Sequence, residues 1–264
     1  MGRNEKNAEG IISRLTAKHS GLSINFIPCD MTSFASVQKA AQDFIADNSR
    51  LDVFVCNAGI MCSDAAVTVD GYQKEFQTNH ISHALLIKKL LPLMQSTAAA
   101  DNSDVRIINI ASTAYGVAPA GGIDFDTLRT SQEKLSARLG ARWGRYGQTK
   151  LANILYADGL AKRYPELVSI SVHPGYIFTD LWKNLPMAQR LIFSLALWNK
   201  SVKPHEGAYS QLWASTTSKG NLKSGTYYEP VGKAPRRETE LARDEGDHMA
   251  DKLWDWTEKA LKDF

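Results

Sequence analysis

Apolar runs and amphipathic stretches alternate along the whole chain. Short runs rich in β-formers occupy residues 22–29 (LSINFIPC), 51–56 (LDVFVC), 105–110 (VRIINI) and 168–172 (VSISV), with a further candidate at 225–229. The second and third are nearly continuously apolar, the pattern of strands buried on both faces. Between them lie helical patterns at 5–19, 33–47, within 72–94, and at 147–163. Later helices are expected at 205–216 and 238–260. Thr32 or Ser33 can cap the second helix. Strand alternating with helix predicts an α/β fold with a mainly parallel sheet. Two runs end in small or polar residues: Cys56 leads into Asn57-Ala58-Gly59, and Ile110 into Ala111-Ser112-Thr113. In open α/β sheets, ligands bind at the carboxyl ends of the strands.

Composition narrows the picture only slightly. Repeats, low-complexity segments and linkers are absent from the 264 residues, so residues 1–264 read as one domain. The net charge of +3 gives no reason to expect a nucleic-acid partner. No run reaches the ~18 apolar residues that a transmembrane helix needs. The polar residues 1–6 do not read as a signal peptide, and three cysteines, Cys29, Cys56 and Cys62, suit a reducing compartment. A cytoplasmic protein is the expectation.

The chemistry concentrates in Tyr146-Gly147-Gln148-Thr149-Lys150. On a helix, residues four apart share a face. A phenol is a poor base near neutrality, and a neighbouring ammonium favours the phenolate. The pair could therefore move a proton to or from a hydroxyl oxygen. A Tyr-x-x-x-Lys match by itself is more often a solvated helix face, so the context decides. Ser112 stands just past a buried strand. Asn57-Ala58-Gly59 forms a turn that lets backbone approach a ligand. Asn79 lies inside a helical run, residues 78–86 (TNHISHALL), where a buried amide needs a reason, and Pro174-Gly175 with Thr179 follows another strand.

Taken in order, Asp30, Asn57-Ala58-Gly59, Asn79, Ser112, Tyr146/Lys150 and Pro174-Gly175…Thr179 resemble the short-chain dehydrogenase/reductase family over essentially the whole chain. Within it, the chain is most similar to the retinol-dehydrogenase-like and WW-domain-oxidoreductase-like group. The resemblance implies a Rossmann-like, doubly wound, mainly parallel sheet. It implies an oxidoreductase that interconverts a carbonyl and an alcohol on a lipophilic small molecule. Family members serve retinoid, steroid, detoxification and secondary-metabolite chemistry alike, so substrate and pathway stay open. By the same resemblance, Tyr146 exchanges the proton, Ser112 binds the reacting oxygen, and Lys150 lowers the Tyr146 pKa and binds the nicotinamide ribose. Asn79 holds a water that links Lys150 to solvent. Asp30 and the Met31 backbone meet the adenine, Asn57, Ala58 and Gly59 line the ribose side, and Ile177 and Thr179 contact the nicotinamide end. Arg3 resembles the residue that pairs the 2′-phosphate of NADP, which favours NADP(H) over NAD. Relatives are often dimers or tetramers, so a homo-oligomer is a further expectation.

One departure stands against this. The family's Gly-rich turn, where a diphosphate sits on a helix N-terminus, has no counterpart among the 18 glycines. The first strand–helix–strand unit reads as missing, and an impaired relative kept as a binding or scaffold protein is the alternative. In the family's strand order the missing unit is central. Residues 22–29 should then either slide across to pair with 51–56 or stay an orphan strand in a chain that binds dinucleotide poorly.

Three further features have competing readings. His80 and His83 share a helix face, but no third ligand at suitable spacing accompanies them, so no metal is expected. The apolar stretch 191–198 (LIFSLALW) could be core packing, a lid over an apolar substrate, or a membrane-surface contact. Trp254 and Trp256 read as one side of a docked amphipathic helix.

Overall fold

In the computed structural model, described over residues 1–19, 21–178, 182, 184–235, 242, 244 and 248–264, every β-rich run after residue 50 becomes a strand. The strands are β1 (Val53–Cys56), β2 (Arg106–Ile110), β3 (Val168–Val172), β4 (Tyr176–Ile177), β5 (Ser201–Val202) and β6 (Tyr227–Tyr228). The main sheet runs β1-β2-β3-β6 and is parallel throughout; β4 and β5 form a small parallel pair. The helices are α1 (Glu5–Lys18), α2 (Phe34–Asp47), α3 (Lys74–Phe76), α4 (Ser82–Ala98), α5 (Ala141–Arg163), α6 (Met187–Leu197), α7 (Tyr209–Thr216) and α8 (His248–Ala260).

Strand alternation divides the side chains between two faces. Cys56, Ile107 and Tyr227 join the large core formed with α2, α4, α5 and α8. Ile108, Ile110, Ile170 and Val172 pack on the other face, against Trp213 and Ala214 of α7. Buried Arg106 stitches α7 to the sheet: its guanidinium donates to the carbonyls of Ala214 (2.7 Å) and Thr217 (2.6 Å) and pairs with Asp104. Helices on both faces of a parallel sheet make this a Rossmann-like fold. The C-terminal tryptophans dock as expected: Trp254 stacks on Tyr156 of α5, and Trp256 meets Tyr72 and Phe76 edge-on.

Three elements differ from the sequence expectation. The chain at 74–98 is one composite helical run, in which the π-helical turn Gln77–Ile81 separates α3 from α4 and the helix continues through Pro92. Helix α5 begins at Ala141, six residues before the expected start. Its added turn is anchored by distant partners: Arg142 donates to Cys62 O (3.0 Å) and Asn184 O (2.6 Å), and Arg145 donates to Gln132 O (3.1 Å) and Ser63 O (3.0 Å). Most of 238–247 lies outside the described residues, and α8 starts at His248.

The third difference is the largest. Residues 22–29 do not form a strand. Pro28 makes a one-residue parallel bridge with Gly2, secured by Gly2 N–H to Ile27 O (3.2 Å) and Cys29 N–H to Gly2 O (2.8 Å). Nor does the segment slide onto β1. A cavity of about 1270 Å³ separates them, with Ser23, Phe26 and Ile27 on one wall and Val53, Phe54 and Val55 on the other. A strand needs a ladder partner for its backbone, and the run has Gly2 alone. Beside it, α1 is capped by Asn4, whose side chain accepts from Asn7 N–H (2.9 Å), yet none of its residues is buried.

Candidate active site

The site forms where β1 and β2 end. Ser112 follows β2 and caps the short 3-10 turn Thr113–Val117, its hydroxyl accepting from Ala114 N–H at 3.2 Å. Tyr146 comes from the second turn of α5, and its phenol faces the Ser112 side chain. Gly147 makes this meeting feasible. A Cβ there would lie 2.7 Å from Ala118 N and 2.8 Å from Ala114 O. Only a residue without a side chain lets α5 press this closely on the turn that carries Ser112.

Lys150 is buried one helical turn further on. Its Nζ donates to Ile110 O at 2.9 Å and stands 5.5 Å from the centre of the Tyr146 ring. Asn153 donates to the same carbonyl at 2.9 Å. Burial pushes the Lys150 amine down to about 8, against the pull of Glu75. The phenol departs from the sequence expectation. Burial pushes the Tyr146 pKa well up, and the neighbouring Ser112 hydroxyl only partly opposes it. Desolvation outweighs the expected lowering by Lys150. Tyr146 is thus held as a neutral phenol, a proton donor.

Asn79 sits in the π-turn, fully buried, and its amide is completely engaged. Oδ1 accepts from Ile60 N–H (2.8 Å), and Nδ2 donates to Ile60 O (2.8 Å) and to Thr149 Oγ1 (3.1 Å). Asn79 thereby clamps the loop after β1 to α5. Thr149 closes the clamp by donating to Tyr146 O at 2.7 Å. A second tie is His83, whose Nε2 lies 2.8 Å from Ala58 O. These two hold Asn57-Ala58-Gly59 in place. Gly59 is close-packed: a Cβ there would lie 3.2 Å from Asn79 Oδ1 and 3.9 Å from Lys150 Nζ.

The cavity collects Arg3, Asp30, Met31, Asn57, Ala58 and Gly59. Asp30 Oδ1 accepts from Thr32 N–H (2.9 Å) and Thr32 Oγ (2.8 Å). Burial would raise the Asp30 carboxyl, but these bonds, with Arg3 and Lys74 nearby, hold it below the usual range. Met31 O accepts from Ser82 Oγ at 2.7 Å, which fixes the Asp30-Met31 corner on α4. Ser112, Tyr146, Lys150 and Ile177 are not part of this lining. Ile177 lies on β4, half-buried, with Gly207 packed against it. Thr179 lies outside the described residues.

The donor set suits two ends of a dinucleotide: a carboxylate and a guanidinium at Asp30 and Arg3, and hydroxyl and amine groups at Tyr146 and Lys150. The middle has no such match. The nearby helix N-termini are partly occupied, since Phe34 N–H of α2 donates to Asp70 (2.8 Å) and Asn7 N–H of α1 to the Asn4 cap. Each has fewer amides left for a diphosphate than an uncapped N-terminus.

His80 and His83 point to separate partners, His80 Nε2 to Thr257 Oγ1 at 3.1 Å and His83 to Ala58 O. Burial pushes them down to about 3 and about 4, so both stay neutral.

The sequence reading did not single out Glu75. Buried on α3, it accepts from Ser63 N–H at 2.5 Å. Burial pushes its carboxyl up to about 7, opposed by the Ser63 bond and by Arg145 and Arg142. A glutamate between two aromatic-flanked helical positions, Tyr72 and Phe76, was the available signal. Beside Tyr146 runs an apolar wall of Met61, Cys62, Trp143 and Leu185, with Trp182 and Phe193 against it.

Comparison with known proteins agrees with this architecture. A family model described as short chain dehydrogenase matches residues 1–124. An uncharacterized oxidoreductase of Schizosaccharomyces pombe is 36% identical over all of this chain and 77% of its own length. The short-chain dehydrogenase/reductase drtF of Aspergillus calidoustus is 30% identical over 98% of this chain and 84% of its own. A crystal structure of a Mycobacterium paratuberculosis protein superposes with a TM-score of 0.69 at 26% identity, covering 99% of this chain and 83% of that one. An NADPH-bound carbonyl reductase from chicken fatty liver shares the fold, with a TM-score of 0.59 at 23% identity over 89% of this chain and 85% of that one. The chain belongs to the short-chain dehydrogenase/reductase family, whose members are NAD(P)-using oxidoreductases. Among the described residues, no helix is long and apolar enough to cross a membrane.

Proposed function

We propose that the chain, working as one domain, is an NADP(H)-dependent reductase of a ketone or aldehyde on a lipophilic small molecule. The observation that carries this reading is the buried, neutral Tyr146 phenol, set beside Ser112 and bordered by Trp143, Met61 and Leu185. The bound cofactor would supply the hydride. Ser112 holds the carbonyl oxygen, and Tyr146 gives it a proton as negative charge develops there. Lys150, with its amine poised near 8, stands behind the phenol, where its ammonium form would stabilise the phenolate left by the proton transfer. Asn79, Thr149 and His83 keep the Asn57–Gly59 loop and α5 in register. Asp30 and Met31 would face the adenine, Asn57, Ala58 and Gly59 the ribose, and Ile177 and Thr179 the nicotinamide. Arg3 would pair a 2′-phosphate, for which a guanidinium fork suits geometry and charge.

Reduction of an apolar aryl ketone with NADPH tests the proposal. Tyr146→Phe should lower the rate by roughly 10²–10⁴-fold; retention of more than a tenth of the rate would remove Tyr146 as the proton donor. A competition between NADPH and NADH, measured by fluorescence titration, tests the cofactor choice. NADPH should bind more tightly, and Arg3→Ala should erase the difference. The capped helix N-termini favour a second reading, in which this chain binds dinucleotide weakly and serves as a binding protein. Absence of saturation in that titration, with the wild-type chain folded, would favour it.

A further inference from the structure

The stretch 191–198, left open between core, lid and membrane surface, lies in α6, and α6 is apolar on both sides. Its inward side carries Phe193, which packs on Trp143 and Trp182 beside the candidate active site. Its outward side carries Met187, Leu191, Ile192 and Leu195, and Trp198 continues the stripe just past the helix end. All five are large, and their exposure runs from 62% at Leu191 to 82% at Met187. A helix that is hydrophobic all round is ordinarily buried, and a contiguous apolar stripe on a surface marks a contact site. At 11 residues and about 1.5 Å per residue, α6 covers roughly half of a bilayer's hydrocarbon thickness. It can lie in a membrane interface but cannot span one.

Charge identifies the occupant. From residue 181 to 205 the sequence holds Lys183, Arg190, Lys200 and Lys203 and no Asp or Glu. Arg190, Lys200 and Lys203 are exposed. Arg190 lies on the helix flank, and the two lysines follow Trp198. The next acid, Glu206, turns back to accept from Lys203 N–H at 2.6 Å. A short helix with an outward stripe of Leu, Ile, Met and Trp, accompanied by Arg190, Lys200 and Lys203, has the composition of an interfacial membrane-binding helix. Its cations match the negative surface of an anionic leaflet.

We infer that the outward face of α6 docks the protein on anionic lipid bilayers, with Leu191, Leu195 and Trp198 entering the headgroup–acyl boundary and Arg190, Lys200 and Lys203 meeting the headgroups. The opposite face of the same helix borders the apolar wall beside Tyr146, so a lipid-dissolved substrate would reach the site from the bilayer side. The docking surface does not depend on the catalytic assignment, and its test does not measure turnover.

The experiment is sedimentation of the full chain with vesicles of phosphatidylcholine alone and of equal parts phosphatidylcholine and phosphatidylserine. Trp fluorescence is read on the same samples. The wild type should sediment with the anionic vesicles, weaken as salt is raised, and show a blue shift on binding. The double variant Leu191→Asp/Leu195→Asp changes only exposed positions and should keep the wild-type thermal unfolding midpoint while losing at least about tenfold in vesicle affinity. Arg190→Glu/Lys200→Glu should lose the preference for anionic vesicles. No sedimentation of the wild type with anionic vesicles, or equal sedimentation of the Leu191/Leu195 variant, would overturn the inference. A concentration-dependent dimer abolished by that variant, without vesicle binding, would also overturn it and assign the face to a second copy.

Discussion

The two ends of the candidate site are built in opposite ways. On the Tyr146 side every functional group is braced by residues from other elements: Gly147 against the Ser112 turn, Asn79 between the Ile60 backbone and Thr149, and Lys150 and Asn153 sharing one carbonyl. On the Arg3 side, one bridge at Gly2 holds the chain to Pro28, α1 buries nothing, and β1 presents its outer edge to a cavity. The first region's geometry is set by packing, the second's by the Asn4 cap and the single bridge to Pro28. Isolated helices of α1's length are marginal in water. The Tyr146 half of the site is therefore preformed, and the Arg3 half is held only loosely.

The contrast can be broken most directly by truncating one apolar side chain in each region. Leu85 of α4 is fully buried, whereas Ile11 of α1 is about half exposed. Leu85→Ala should cost about 2–5 kcal/mol, and Ile11→Ala should stay within about 0.5 kcal/mol. Urea unfolding of both variants checks this, and similar losses would mean that α1 is docked after all. A smaller effect is expected at Gly147. Gly147→Ala places a methyl group against the backbone of residues 114–118 and should cost about 1–3 kcal/mol. It should also separate Tyr146 from Ser112, lowering kcat more than it alters KM. Unchanged stability and kcat would show that the turn gives way without consequence.

The smallest effect is a pH dependence. Between the ordinary carboxylate value near 4.5 and about 7, folded Glu75 keeps a proton that the unfolded chain has lost. Stability therefore falls as pH rises through that window. Buried His80, His83 and His173, pushed down to about 3, 4 and 4, act in the opposite direction. Below about 6.5 the unfolded chain takes up protons that these folded histidines refuse, so stability falls as pH drops. Glu75→Gln should remove the first contribution, stabilising the protein by about 1–3 kcal/mol at pH 8 and by almost nothing at pH 5. Thermal unfolding at the two pH values measures it, and an equal change at both would show that Glu75 is not protonated in the fold.

Residue types and spacing alone were enough to nominate Ser112, Tyr146, Lys150 and the Asn57–Gly59 turn, because proton transfer and close backbone approach each demand particular side chains. The four strands of the main sheet and the docked C-terminal helix were equally legible, since apolar runs and amphipathic stripes are local patterns, whereas the short β4–β5 pair was not foreseen. The fate of residues 22–29 was not: whether an apolar run becomes a strand depends on a neighbour's backbone, and here that neighbour is Gly2 alone. Nor could the sequence show that burial would override the ammonium at Tyr146, that Glu75 would be desolvated beside it, or that Asn79's amide would be spent on Ile60 and Thr149. The same holds for α6, whose two apolar sides look alike in sequence until Phe193 turns toward Trp143 and leaves Leu191, Leu195 and Trp198 facing outward. Sequence determined which chemistry the chain can carry, because that depends on side-chain identity. Tertiary structure decided which groups are stripped of water and which faces stay uncovered, because desolvation and pairing depend on residues far apart in the chain.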